Sequence, residues 1–335
     1  MDIPLPFSDN VELHTIPRRD GSVRFVWEPS AEVKDAHQRA IDTLYALKIP
    51  LPYAYGGLPG KNLYKHIQPH KNNDVFYMID IADAYGSVDK DKLVNTVMGH
   101  VVEHADNPDD VRFIEGFLTH HAFLTEVDGL PQGFPASPLL FNLYCKNMDD
   151  ELAHAMGLLQ YRGAPFVRRV AYTRWLDDMT FSVDRHVDNS PGFTKSHRAL
   201  LRNIIASHGF SVAHHKSRFH SLDNGPVTIT GLSLYPSRMQ HNWSLNDDTI
   251  KARLEGRRIA PSRELITAVN EQFTIIEQKV RKGTATQSDI DLLHGYNGVL
   301  HLGQDPETHK SRFIQELHRR YRKLARQALM LSRSA

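Results

Sequence analysis

An α+β chain is expected from three features of the sequence. Two stretches, 11–30 and 166–183, carry β-hairpin signals, each a pair of strand-like runs around a short polar turn. A third, Val75-Phe76-Tyr77-Met78-Ile79, is an uninterrupted apolar run that ends on Asp80 and suits a buried central strand. Helical periodicity fills most of the remainder and dominates after about residue 245. The chain has 335 residues, 41% hydrophobic and 24% charged, a globular composition with enough length for one large domain or two to three subdomains.

Taken in order, Val11, Leu13 and Ile16 lead into a turn at Arg19-Asp20-Gly21, and Val23 to Trp27 returns; Asp-Gly between strand-like runs is a strong hairpin signal. Ala31 to Leu47 reads as a helix with Ala36, Ala40, Leu44 and Leu47 on one stripe, followed by a Pro/Gly-rich loop over 50–62. After the strand ending at Asp80, helices are expected over Lys90 to His104 and Val111 to Leu124, with a loop from Gly129 to Pro135. Ser137-Pro138 opens another helix, Ser as N-cap and Pro at its first position, with Leu139, Leu140, Leu143, Tyr144 and Met148 on its apolar side. The second hairpin runs Phe166 to Trp175, turns at Leu176-Asp177-Asp178 and returns over Met179 to Val183. Ser190-Pro191 is expected to cap a helix ending near Gly209, Val227 to Leu234 to form one strand, and a long amphipathic helix to start near Pro306. There Phe313, Leu317, Tyr321 and Leu324 share a side, with Arg319, Arg320, Arg322, Lys323 and Arg326 elsewhere.

The net charge of +1 conceals an asymmetry: residues 251–335 hold 16 Lys+Arg against 9 Asp+Glu, a net of +7, which leaves −6 for the rest. A basic C-terminal third on a near-neutral chain fits either a solvated helix face or a surface that meets a polyanion. Cys145 stands alone, so an internal disulfide and a multi-cysteine metal site are excluded. No apolar run approaches the ~18 residues of a membrane span, and the N-terminus lacks the basic start and apolar stretch of a secretory signal. A soluble protein of the reducing cytoplasm, without membrane contact, is the expectation.

Three carboxylates carry the candidate chemistry. Asp80 closes the apolar strand, and Asp177 and Asp178 sit at a hairpin turn, where adjacent acids can converge although they would diverge along a regular strand. Singly, each is an ordinary turn or cap residue. If the hairpin lies beside the strand of Asp80, the acids share one small volume and repel each other unless a cation neutralises them. Oxygen-only ligation suits Mg²⁺, and two such ions about 4 Å apart activate an attacking hydroxyl and stabilise a leaving pyrophosphate.

The order of motifs, Asp80-Ile81-Ala82-Asp83-Ala84-Tyr85, Gly129-Leu130-Pro131-Gln132-Gly133-Phe134-Pro135-Ala136-Ser137-Pro138, the Asp177-Asp178 hairpin, Gly209, Lys216 and Thr230-Gly231-Leu232, resembles that of reverse transcriptases, most closely the bacterial ones typified by retron reverse transcriptases. The resemblance covers nearly the whole chain from about Ile16. It implies a right-hand polymerase with fingers over 1–75 and part of 105–140, a palm with an antiparallel sheet over 75–235, and a helical basic thumb over 236–335. It implies Asp80, Asp177 and Asp178 as metal ligands for two Mg²⁺ ions, with the carbonyl of Ile81 as a further ligand. Tyr85 would be the steric gate that favours dNTPs, and Gln132 and Gly133 the loop at the nascent base pair. Arg24, with Arg18 or Arg19, would hold the triphosphate, and Lys216 would donate a proton to pyrophosphate. The implied activity is RNA-templated DNA synthesis on a dedicated noncoding RNA that acts as template and primer, through an RNA–DNA hybrid, in antiphage defence with a separate effector protein.

Two alternatives stand beside that reading: a non-retron defence reverse transcriptase making untemplated or protein-primed DNA, and an inactive palm-fold RNA-binding scaffold. The sequence departs from the family in places. The usual Tyr-x-Asp-Asp is Trp175-Leu176-Asp177-Asp178, the Asn-Ala-x-x-His of retron enzymes becomes His66-Ile67-Gln68-Pro69-His70, and Val-Thr-Gly becomes Ile229-Thr230-Gly231. Gly56-Gly57-Leu58-Pro59-Gly60-Lys61-Asn62 imitates a P-loop but is one residue short and lacks the Ser/Thr. The His66/His70 pair is interrupted by Pro69, which argues against a helical zinc site.

Overall fold

The computed structural model describes residues 11–17, 23–125, 127–159, 167–185, 192–236, 257–302 and 312–332. Arg18, Arg19 and the turn they belong to, together with Phe166, Ser190, Pro191, Leu245 and Pro306, lie outside the described residues.

The first hairpin pairs β1 (Val11–Pro17) with β2 (Val23–Pro29), and α1 (Ala31–Ala46) follows, capped by Ser30. Its stripe is buried at Ala36, Ala40 and Leu44, as the periodicity implies. A long loop leads to the short α2 (Leu63–Ile67), capped by the Asn62 side chain, and a 3₁₀ turn at Gln68–His70. The main sheet is built from β3 (Val75–Asp80), β4 (Val167–Trp175), β5 (Asp178–Arg185) and β6 (Arg218–Ser221), in the antiparallel order β4-β5-β3-β6. Side chains alternate along β3. Val75, Tyr77 and Ile79 point into the largest core cluster, against α3 (Lys90–His104), α4 (Pro108–His120), α5 (Ser137–Tyr144), α6 (Lys146–Leu158) and α7 (Lys195–Ser207). Phe76 and Met78 face the other way, into a second cluster with Ile67 and a three-stranded sheet of β7 (Val227–Ile229), β8 (Leu232–Tyr235) and β9 (Arg258–Pro261). Beyond it α8 (Arg263–Lys282), α9 (Gln287–Leu302) and α10 (Arg312–Ser332) pack around Phe273, Leu293, Leu317 and Leu324.

Several boundaries differ from the sequence reading, each for a local reason. The helix expected from Val111 begins at Pro108, because Asn107 caps it and Pro108 takes its first position. Ser137 is not a cap: Ala136 occupies that position, and the Ser137 hydroxyl donates instead to the Pro131 carbonyl at 2.7 Å. The helix expected to run on through Met148 is divided at Cys145 into α5 and α6. Helix α7 starts at Lys195, capped by Thr194 through a capping box with His197. The single strand expected over Val227 to Leu234 is a hairpin, since Thr230 (φ 44°) and Gly231 (φ 89°) both adopt the left-handed conformation of a tight two-residue turn. The C-terminal region is not wholly helical either, because β9 completes that second sheet before α8 begins.

Candidate active site

Asp80 is the last residue of β3 and Asp178 the first of β5, and the two are cross-strand partners. Cross-strand partners project to the same face of a sheet, so register alone brings these two carboxylates side by side. Asp178 therefore belongs to the strand, and the turn is Leu176-Asp177 alone. Asp177 is tied back by its carbonyl, which accepts from the Ile81 amide at 3.1 Å. Burial, then repulsion by Asp177 and Asp80, pushes the Asp178 carboxyl up to about 6, and Asp177 is raised by burial and by Asp80. The cation in direct contact is Lys216, whose Nζ lies 3.0 and 3.3 Å from the Asp80 oxygens. Among the described residues no three His, Cys, Asp or Glu side chains form a ready metal cage. The acids are electrostatic neighbours, and Lys216 engages the first of them.

The turn that carries Asp177 is strained. Leu176 has φ 54°, a left-handed value that costs a non-glycine residue roughly 1–3 kcal/mol and persists only when its surroundings hold it. Arg174, fully buried on β4, provides that restraint. Its Nη1 donates to the Leu176 carbonyl and to Asn142 Oδ1, both at 3.0 Å, while Nε and Nη2 fork onto Asp149 at 2.8 and 2.7 Å. Tyr172 donates to the same Asp149 at 2.6 Å. The P-loop imitation packs on the outside of this turn. A Cβ on Gly56 would stand 2.9 Å from both Leu176 Cγ and the Leu176 amide nitrogen, so glycine is required there for packing.

Tyr85 stacks on Phe141 with ring centres 5.2 Å apart and planes at 12°, and burial lifts its phenol above the ordinary range. Its carbonyl accepts from Leu130 at 2.9 Å, and a Cβ on Gly129 would stand 2.1 Å from that carbonyl oxygen. The loop of Gln132 and Gly133 runs beside β2: the Trp27 amide donates to the Gln132 carbonyl at 2.7 Å, and Gly133 (φ 106°) leaves no room for a Cβ against the Trp27 carbonyl. Gly133 thus has a packing reason of its own. Arg24, exposed on β2, is near enough to pull down both Asp177 and Tyr85. The structure therefore gathers Asp80, Asp177, Asp178, Lys216, Tyr85 and Arg24, and ties the Gln132 loop to the strand of Arg24.

The three motif departures meet next to Trp175 and His66. The His66 ring lies 5.8 Å from the Trp175 ring and 5.6 Å from Tyr55, and its Nε2 is 3.4 Å from Thr230 Oγ1. His70 has both ring nitrogens occupied, by Ser182 Oγ at 2.6 Å and Thr173 Oγ1 at 2.7 Å, so it braces β4 and β5. Arg174 and Asp149 were missed by the sequence reading, although both fall at core-facing positions of their elements.

Residues 16–241 match the family model described as reverse transcriptase (RNA-dependent DNA polymerase), and the chain belongs to that family. It is 29% identical over 233 residues to the retron Mx65 reverse transcriptase of Myxococcus xanthus, covering 65% of this chain and 50% of that protein. It is 27% identical over 222 residues to the retron Mx162 reverse transcriptase of the same organism (61% and 43% covered), and 26% identical over 222 residues to the retron Ec86 reverse transcriptase of Escherichia coli (66% and 62% covered). The retron-type resemblance is borne out by these relatives; the chain spans about half the length of the two from Myxococcus xanthus. Among solved structures, apo telomerase from Candida tropicalis superposes with a TM-score of 0.54 at 12% identity, covering 100% of this chain and 59% of that one. Telomerase from Candida albicans in complex with the TWJ fragment of telomeric RNA gives a TM-score of 0.50 at 10% identity, covering 94% of this chain and 63% of that one. At such identities the likeness is one of fold, the right-hand polymerase.

Proposed function

We propose that the chain is an RNA-directed DNA polymerase that copies a dedicated noncoding RNA into DNA, as a retron component in antiphage defence. The observation that carries this reading is the cross-strand register of Asp80 and Asp178 with Asp177 in the adjoining turn, where Lys216 is the cation in direct contact among the described residues. An all-carboxylate donor set, in which Asp177 and Asp178 have raised proton affinity, suits a hard divalent cation. Asp80, Asp177 and Asp178, with the Ile81 carbonyl, would hold Mg²⁺, two ions in the full reaction. Bound Mg²⁺ supplies charge neutralisation to the attacking hydroxyl and the departing pyrophosphate.

The chain's own residues do the rest. Arg24, together with Arg18 or Arg19, neutralises the incoming triphosphate; guanidinium forks suit phosphate oxygens. Tyr85, fixed by Phe141 and by the Leu130 amide, presents a wall to the sugar that excludes a 2′-hydroxyl. Gln132 and Gly133 line the nascent base pair. Lys216 pairs with Asp80 before substrate enters, and in this reading it gives a proton to pyrophosphate. In this assignment the fingers are 1–75 with part of 105–140, the palm 75–235 and the thumb 236–335. The +7 charge of 251–335 then grips the template–primer backbone. The substrates are dNTPs, the product an RNA–DNA hybrid, the compartment the cytoplasm, and the toxic output belongs to a separate effector protein.

The test is primer extension on an RNA template with the purified chain, alongside sequencing of nucleic acid that co-purifies from its host. Wild type is expected to incorporate dNTPs and to carry one discrete RNA joined to its DNA copy. Asp178→Asn is expected to lose incorporation by on the order of 10³-fold or more while keeping fold and RNA binding. Retained synthesis in that variant removes the metal assignment, and homopolymeric DNA without an RNA partner points to untemplated synthesis instead.

A further inference from the structure

We infer that the outer edge of the four-stranded sheet, at β6 and α7, is a docking surface for single-stranded RNA held outside the catalytic cleft. From Gly192 to Leu222 the sequence contains no Asp or Glu, while Lys195, Arg198, Arg202, Lys216 and Arg218 supply five cations. On a chain whose net charge is only +1, a span of this kind concentrates positive potential on one place. Lys216 is engaged with Asp80 in the cleft. Among the described residues Lys195, Arg198, Arg202 and Arg218 have no ion-pair partner.

The geometry makes this a platform as well as a patch. Arg198 and Arg202 stand one turn apart on α7, on the same side of the helix. The Arg198 guanidinium lies over the Phe219 ring, 5.0 Å from its centre, and the Arg198 Nε is buried with no hydrogen-bond partner. Arg202 donates to the Tyr77 hydroxyl at 3.3 Å. Phe219 is the cross-strand partner of Tyr77, so it lies on the helix-covered face of the sheet, opposite to the face of Met78 and Asp80. Yet β6 is the last strand of the sheet, and Phe219 remains 44% exposed. An exposed ring backed by a guanidinium stacks a base, and unpaired cations around it meet phosphates; that combination binds single-stranded nucleic acid without regard to sequence. Arg218, the neighbour of Phe219 on the alternate face, carries the positive charge over the edge toward the carboxylates, where it pulls down Asp178. An RNA that is both retained and copied needs a hold on its uncopied part away from the cleft, and this edge fits that need.

The inference rests on the reading that the chain copies RNA, and its test keeps the two apart. The cleft is first loaded with an oligo(rC)·oligo(dG) duplex, whose template does not pair with uridine and whose extension by dGTP is measured. A fluorescent oligouridine of about 20 nucleotides is then titrated into loaded and unloaded protein. Wild type is expected to bind the oligouridine with the duplex in place. The double variant Arg198→Glu/Arg202→Glu is expected to bind it at least about tenfold more weakly, with the salt slope of log K shallower by about 1.4. Phe219→Ala is expected to lose about tenfold. Both variants should extend the duplex at the wild-type rate, and Arg112→Glu, an exposed charge reversal on α4, should match wild type throughout. Equal oligouridine binding by wild type and the variants, or displacement of oligouridine from wild type by the duplex, overturns the docking surface. A wild-type chain that extends no duplex overturns the polymerase reading instead, and the unloaded titration still decides the patch.

Discussion

Two groups of carboxylates sit at opposite ends of β3 and β5, and their surroundings could hardly differ more. At the far end Asp74 directly precedes β3 and Asp184 lies near the end of β5, both buried. Burial and a hydrogen bond with Asp74 push the Asp184 carboxyl up to about 6. Here the fold supplies the counter-charge: Arg257, itself buried, forms an ion pair with Asp74 and donates to the carbonyls of Lys71 and Asn73 at 3.1 and 3.2 Å, and Arg169 stands 3.5 Å from Asp184. At the near end, among the described residues, Lys216 is the cation in contact, with Asp80, its side chain 49% exposed. Similar acid chemistry thus serves two ends. Where arginines are locked in, the acids join β9 and the second sheet to the first. Where the arginines, Arg24 and Arg218, act only from a distance, the acids keep a charge deficit that a mobile cation can meet.

The largest effect is expected at the closed end. Arg257→Ala removes the ion pair at buried Asp74, and removing one side of a buried pair costs about 3–5 kcal/mol. The denaturation midpoint should fall accordingly. A loss below about 1 kcal/mol would mean that the far acids are not held by Arg257 and that the contrast between the ends is false. Next comes the support of the open end. Arg174→Lys keeps the charge against Asp149 but cannot reproduce the fork onto Asp149, Asn142 and Leu176 together. A small misplacement of Asp177 is then expected to lower kcat by on the order of 10²-fold, with KM for dNTPs within about twofold of wild type. Reduced stability with kcat unchanged would assign Arg174 to packing alone.

How much of this was legible in the sequence depends on whether the signal was local. The strand ending at Asp80, the helix over Lys90 to His104 and the hairpin before Asp178 were all legible, since each is written in a contiguous apolar run or period. The hairpin at Thr230-Gly231 was not, because the threonine gives no sign of a left-handed turn until its neighbours force one. Strand β9 is four residues long and becomes a strand only by pairing with β8. The acids of the site were readable from their order, but their counter-charges were not, since which cation reaches which acid is settled by tertiary packing. Arg174 and Asp149 left a trace all the same. Arg174 shares the face of Val170 and Tyr172 on β4, and Asp149 falls among Cys145, Met148, Leu152 and Met156 at core spacing on α6. A charge of each sign at a core position in two neighbouring elements signals a buried pair.

The finest test of the contrast is thermal stability with and without Mg²⁺. A carboxylate whose folded value exceeds its unfolded one stabilises the fold when protonated, fully below about pH 4, and that contribution disappears as pH rises through about 6. Asp178 is such a group. At pH 7.5 the ionised, crowded carboxylate therefore burdens the fold, and a divalent cation relieves it. Mg²⁺ is expected to raise stability there by about 1–2 kcal/mol at about tenfold its dissociation constant, or roughly 2–4 °C in the melting temperature. Asp178→Asn should melt higher than wild type in EDTA and gain little from Mg²⁺. The buried histidines act in the opposite sense. Burial holds His37 at about 4 and His66 at about 3, so from about pH 6.5 downward the unfolded chain takes up protons that they refuse, and stability falls with acid whether or not metal is present. Only the difference between the Mg²⁺ and EDTA curves isolates the open end. If that difference persisted undiminished at pH 5, or in Asp178→Asn, the cation would be bound somewhere other than between β3 and β5.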